Sequence, residues 1–372
     1  MYSDGRARGA GSRPENPGQG DLRRSIPRQG GPLPGGADRE AGEAKEAFRR
    51  IRESFRIPDA FSLWEEYRER LTGCVLDEGR AVPGWRLPEG QSPAADADRS
   101  LAVLGAGAMN DLDLKRLAAR FRTVVLIDSD LSSLEEGLRR YGLEGTGEIR
   151  LLRGSLTGIT EADAEDFFCA LYTRSVRSAR AGRLTPERFL SDSLELLSGL
   201  EQRLFRTGEA FQALLPPGGF DTVVCAGLHS QLFSLLTLSW QVLAGSLSEQ
   251  VFRGPVPAEP VLQRVKEWNG ALIPLLDRAV LRAARRRALF GFEYDPAAPV
   301  EGAFQGLRDV QGLSAGLEPA DSLGLSAEQG LAAGQEPPVR LSHLADLTWP
   351  FSPSRGRYYT MRILDLWKED VT

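Results

Sequence analysis

The sequence predicts an α/β fold, a mostly parallel sheet with helices on both faces. Three observations carry this. From residue 99 on, short runs rich in Val, Ile and Leu alternate with stretches of helical period. The first run leads into "AVLGAGAMNDLDL", where two glycines hand a strand over to a helix. The next, "TVVLIDSD", closes on acids, as in a right-handed βαβ unit whose ligand would lie at the carboxyl ends of the strands.

The elements follow in order. Residues 1–38, with "GRARGAGSRPENPGQG" and "RQGGPLPGGA", have little to bury and are expected to be a disordered tail. Residues 39–98 read as an N-terminal helical cap and linker. "DREAGEAKEAFRRIRESF" is rich in helix formers. In "AFSLWEEYRERL", Phe61, Trp64, Tyr67 and Leu71 recur at helical spacing, with Asp59 as the expected N-cap. This aromatic stripe is read as core packing in preference to a lid over a ligand, because apolar periodicity is mainly a burial signal.

Residues 99–372 form the α/β domain. "SLAVLGAG" is strand one, "DLDLKRLAARF" a helix, "TVVLIDSD" strand two, "LSSLEEGLRRYGL" a helix closed by Gly142, and "GEIRLLRGSL" strand three. A helical insert covers 160–210, with Thr185 and Pro186 starting a helix whose stripe is Leu190, Leu194, Leu197, Leu200 and Leu204. "FDTVVCAG" is strand four, before an apolar helix with Leu235 and Trp240. A long helix, bent by Pro274, is expected to run through "RAARRR", with Arg282 and Arg285 to Arg287 as cations at its C-terminus. "ALFGFEYD" is strand five, 296–338 a mobile insertion, and "GRYYTMRILDLWK" a closing edge or hairpin strand.

Composition narrows the function. A net charge of −5 does not suit a chain that binds nucleic acid as a whole. Cys74, Cys169 and Cys225 form no CxxC pair, which favours free thiols in a reducing compartment. With His229 and His343 as the only histidines, the composition argues against a histidine metal cluster, and no metal is expected. No secretory leader is evident, and "LFSLLTLSWQVLAG" is too short to span a bilayer. The expectation is a soluble, cytoplasmic protein with no membrane partner.

Gly105 and Gly107 allow a sharp turn and a close backbone approach to a ligand, and Asp128 can accept from both ribose hydroxyls. An adenosine-containing cofactor fits both. Two observations count against NAD. Asn110 stands where the dinucleotide fingerprint has its third glycine, and Asp111 and Asp113 put negative charge where a pyrophosphate would sit. A cationic ligand without phosphate suits the same acids, and S-adenosylmethionine carries an ammonium and a sulfonium.

"VLGAGAMNDLDLKRLAARFRTVVLIDSD" resembles the first two motifs of class I S-adenosylmethionine-dependent methyltransferases. More narrowly, it is similar to a group of uncharacterised bacterial methyltransferase-like proteins with a glycine loop, Asn-Asp-Leu and Val-Asp-x-Asp pattern. The resemblance is best over 100–159 and extends to "FDTVVCAGLHSQL". It implies a Rossmann-like, doubly wound, seven-stranded sheet whose last strand is antiparallel, with S-adenosylmethionine as cofactor. Carried over by position, Gly105, Ala106 and Gly107 would line the methionine end, and Asn110 would also belong to the cofactor site. Asp128 would take the ribose, with Ser129 beside it in the cofactor site, and Ser155 and Leu156 would lie by the adenine. Ser155 departs from the pattern, which usually has an acid there.

The resemblance also marks down some reactions. Amino-methylating nucleic-acid enzymes carry Asn/Asp-Pro-Pro-aromatic after strand four, where this chain reads "CAGLHSQ"; Pro216 and Pro217 precede the strand. No cysteine follows a proline, as a cytosine C5 nucleophile would. His229, after strand four, is the one candidate base. The leading expectation is a methyltransferase acting on a small molecule or protein. A non-catalytic methyltransferase-fold binding protein and an NAD-dependent oxidoreductase are the alternatives.

Overall fold

The computed structural model describes residues 37–57, 59–77, 99–204, 211, 213–252, 254–294, 339–353 and 356–368. The expected tail 1–38, residues 78–98 at the linker end of 39–98 and the 296–338 insertion lie almost wholly outside the described residues.

Seven strands form one sheet in the order β3-β2-β1-β4-β5-β7-β6. They are β1 (Ser100–Leu104), β2 (Thr123–Asp128), β3 (Ile149–Arg153), β4 (Phe220–Ala226), β5 (Ala284–Tyr294), β6 (Val339–Ser352) and β7 (Arg357–Lys368). The first five pair in parallel, while β7 runs antiparallel to both β5 and β6. The fold is therefore Rossmann-like, with the antiparallel last strand that the resemblance implies. The order reverses between β1 and β4, so a crevice is expected at their carboxyl ends.

Side chains alternate in direction along the strands, so each face of the sheet has its own core. One face carries Ala102, Leu104, Val125, Ile127, Val223 and Phe290. Against it pack α1 (Ala37–Phe55), α6 (Glu161–Arg180), α7 (Pro186–Leu204), α8 (Ser234–Leu247) and α9 (Glu259–Ala283). Helix α1 belongs to this core through Ala44, Phe48 and Ile51, and its buried Glu40 pairs with Arg177 and Arg180 of α6. The other face carries Leu101, Val103 and Leu126. It is covered by α2 (Ala60–Leu63), α3 (Glu65–Leu76), α4 (Leu114–Arg120) and α5 (Leu131–Tyr141). Among the described residues, no helix is long and apolar enough to cross a membrane.

Several elements match their sequence signals. Gly142 closes α5 in the left-handed conformation, and Thr185 accepts from the Arg188 N–H at the start of α7. Pro274 sits inside α9 without ending it. Trp64, Tyr67 and Leu71 are buried, as a core stripe requires.

Four expectations are corrected. Asp59 has φ of +59° and makes no side-chain cap, so the helix start rests on backbone turns alone. The aromatic helix divides at Trp64 into α2 and α3. The long helix stops at Ala283, and Arg285 to Arg287 belong to β5, where pairing with β4 draws them into the sheet. They are not helix-terminal cations: Arg285 pairs with Asp221, and buried Arg287 bonds Asp365 and the carbonyls of Cys74 and Val75. Strand β6 is absent from the sequence reading; it is the edge strand, where Pro350 is tolerated, and β7 lies inside the sheet as its hairpin partner.

Candidate cofactor site

The glycine turn lies at the carboxyl end of β1, on the switch point. Gly105 (φ +63°), Gly107 (φ +47°) and Met109 (φ +53°) are all left-handed, so the chain coils tightly before α4. The Ala106 N–H is held by the Ile127 carbonyl at 3.2 Å. The two glycines differ in their surroundings. A Cβ on Gly105 would lie 2.9 Å from Leu228 Cδ1, so that glycine serves close packing against the loop after β4. A Cβ on Gly107 would meet nothing within 4 Å. Gly107 therefore faces open space.

Asp128 closes β2 beside this turn. Its Oδ2 accepts from the Gly107 N–H at 2.9 Å, and its Oδ1 accepts from the Asp130 N–H at 2.8 Å. Burial raises its pKa, and these backbone donors offset part of the rise. The Ser129 N–H also bonds the carboxylate, which leaves acceptor capacity for about one further donor. The carboxylate thus fixes the glycine turn before any ligand arrives. Ser129 follows it, one residue before Asp130, which caps α5 through the N–H groups of Ser132 and Ser133.

The turn's polar residues are tied to neighbouring helices. Asn110 accepts from Arg140 through its side chain and from Arg68 through its carbonyl, at 3.1 Å in the second case. Asp113 caps α4 by accepting from the Arg116 N–H at 3.1 Å. Asp111 is half-buried, and burial pushes its pKa up to about 6, with Arg68 the opposing positive charge. Gly137 on α5 was missed. A Cβ there would sit 3.1 Å from the Ala108 backbone, so this glycine provides the close helix approach that Asn110 cannot. Its signal was a glycine interrupting the otherwise helix-favouring "LSSLEEGLRRY".

The expected adenine end is more self-contained. The Ser155 hydroxyl donates to the Ile159 carbonyl at 2.7 Å and contacts Thr157 Oγ1 at 3.1 Å, while Leu156 is buried. Both residues follow β3, next to the end of β2.

After β4, His229 is buried at 7% exposure, and its Nε2 lies 2.7 Å from Oδ1 of Asp277 on α9, which is fully buried. Phe290 and Phe292 of β5 pack against the imidazole. Asp277 was missed, although an acid among Leu272, Leu276 and Val280 on an apolar stripe marks a buried charge. On the opposite face, Trp349 of β6 reaches within 3.7 Å of a Cβ position on Gly227 and packs edge-on against Trp64. The aromatic stripe is therefore core that covers the end of β4.

The chain matches no family profile, and no curated protein matches it by sequence. Solved structures do match. One is the magnesium protoporphyrin IX methyltransferase of Synechocystis PCC 6803 with bound S-adenosylmethionine, at 12% identity and a TM-score of 0.35, covering 89% of this chain and 97% of that one. Another is the YcgJ protein of Bacillus subtilis, at 10% identity and 0.31, covering 75% and 96%. A third is a Pyrococcus horikoshii protein provisionally assigned as an RNA methyltransferase, at 9% identity and 0.31, covering 81% and 98%. Likenesses this loose do not establish what the chain binds, and the expectation against nucleic acid draws no support from them.

Proposed function

We propose that the chain binds S-adenosylmethionine at the glycine turn and transfers its methyl group to a small-molecule or protein acceptor. The observation that carries this is the open face of Gly107 beside Asp128 at the switch point. The backbone there is coiled so that a ligand can lie against it, and Asp128 retains acceptor capacity for a ribose. Gly105, Ala106 and Asn110 would frame the methionine end, Ser129 the ribose, and Ser155 and Leu156 the adenine. Asp111 supports a cationic ligand over a diphosphate, because a carboxyl with a raised pKa gains from a nearby positive charge. When bound, the cofactor supplies an activated methyl group, so the protein's task is to align the acceptor and exclude water.

One observation favours a non-catalytic binding protein of the same fold. Ser155 stands where the resemblance has an acid, and its hydroxyl is already engaged within its own loop. Calorimetric titration with S-adenosylmethionine, S-adenosylhomocysteine and NAD separates the readings. Saturable binding of the first two without NAD is the expected result. Binding of NAD alone would replace this function with the oxidoreductase alternative.

A further inference from the structure

We infer that His229 and Asp277 form the proton-accepting pair of this site, and that the methyl acceptor is a neutral O–H or N–H group that must lose its proton. This rests on the proposed S-adenosylmethionine reading and deepens it. The pair is unusual in two ways. It is buried in an apolar setting, yet among the described residues one hydrogen bond joins it, Nε2 to Oδ1. Among the described residues, neither His229 Nδ1 nor Asp277 Oδ2, both buried, has a hydrogen-bond partner. A structural histidine would ordinarily satisfy both ring nitrogens, because a buried unpaired polar atom is costly. A fully buried carboxylate is likewise expensive unless it balances a charge. An imidazole that accepts a proton at Nδ1 meets both conditions: the carboxylate then neutralises the imidazolium, and Nδ1 has a donor to engage.

The position fits this use. His229 is the third residue after β4, and its neighbour Leu228 touches the glycine turn through Gly105. His229 therefore belongs to the loop that packs against the glycine turn. Among the described residues, the other titratable groups near it are Cys225 on β4, whose thiol burial pushes well above its usual range and which feels Asp277, and Glu293 on β5, which accepts from Ser230, the next residue. Neither occupies Nδ1.

The step balances as follows. A lone pair on the acceptor oxygen or nitrogen forms the new bond to the methyl carbon. The methyl carbon–sulfur bond breaks with its electron pair passing to sulfur, which turns from sulfonium to neutral thioether. The acceptor's proton passes to His229 Nδ1, leaving imidazolium beside the Asp277 carboxylate. An acceptor already ionised at neutral pH, such as a carboxylate, would not need this pair.

The test uses the full chain with the two natural cofactor forms, which differ by one methyl group and one charge. NMR titration follows the imidazole of His229, assigned by comparison with His343→Gln, in the presence of saturating S-adenosylmethionine or S-adenosylhomocysteine. A sulfonium nearby disfavours imidazolium, so the His229 midpoint should lie about half a pH unit or more lower with S-adenosylmethionine. Asp277→Asn should lower it further in both complexes. Equal midpoints with both ligands bound would overturn the pair's role while leaving cofactor binding intact. Failure of both ligands to bind in the same titration would overturn the cofactor reading and this inference with it.

Discussion

Asp128 holds the glycine turn and offers itself to a ribose, so its replacement should affect both roles. Asp128→Ala removes a charged acceptor and is expected to weaken S-adenosylhomocysteine binding about ten- to a hundredfold, equivalent to roughly 1.5–3 kcal/mol. Asp128→Asn, which keeps one acceptor oxygen, should lose less; calorimetry compares the two. Unchanged affinity in Asp128→Ala would mean that the carboxylate serves the turn alone. Asp111 yields a pH prediction. Burial raises its folded pKa from 3.8 to about 6. Folding therefore favours its protonated form. The stability this confers is complete below about 4 and is lost as pH rises through about 6. Asp111→Asn should accordingly stabilise the ligand-free protein at pH 7 by about 1–2 kcal/mol, a gain that fades toward pH 4. Urea unfolding at the two pH values measures it.

Elements show where sequence and structure part. Strands β1, β2 and β4 were legible because buried parallel strands are continuous apolar runs. The start of β5 was not, because "ARRR" reads as a basic helix end. Pairing with β4, the Asp365 carboxylate far along the chain and the carbonyls of Cys74 and Val75 make a buried arginine tolerable there. β6 was missed because its apolar alternation, Leu347 and Trp349 flanking Thr348, is short and broken by a register shift and by Pro350. The glycine turn and Asp128 were legible as local chemistry, whereas Asp277 becomes meaningful only when α9 meets the loop after β4. Two variants test these elements. Arg287→Leu leaves buried Asp365 without its cation and unties the end of α3, and should cost about 3–5 kcal/mol in urea unfolding. A loss under 1 kcal/mol would show that the clamp is dispensable. Gly137→Ala puts a methyl 3.1 Å from the Ala108 backbone, so it should weaken cofactor binding despite the better helix propensity of alanine. Equal binding would mean that the turn yields without consequence.

At the scale of the whole molecule, both cores meet at the sheet, and the candidate site lies along its upper edge, where β1, β2 and β4 end. A ligand bound there contacts loops from both faces and should stabilise the native state as a unit. S-adenosylhomocysteine at a hundred times its Kd is expected to add about 2.7 kcal/mol, a rise of a few degrees in Tm. The most direct measurement is calorimetric titration of S-adenosylhomocysteine into the parent chain and into Gly107→Val, with circular dichroism confirming that the variant is folded. Gly107 is left-handed and faces open space, so a branched side chain there enters the ligand's place. One saturable site per parent chain and none in the folded variant is the result predicted. Equal affinity in both chains, or no binding to the parent, would contradict the assignment of this turn as the cofactor site.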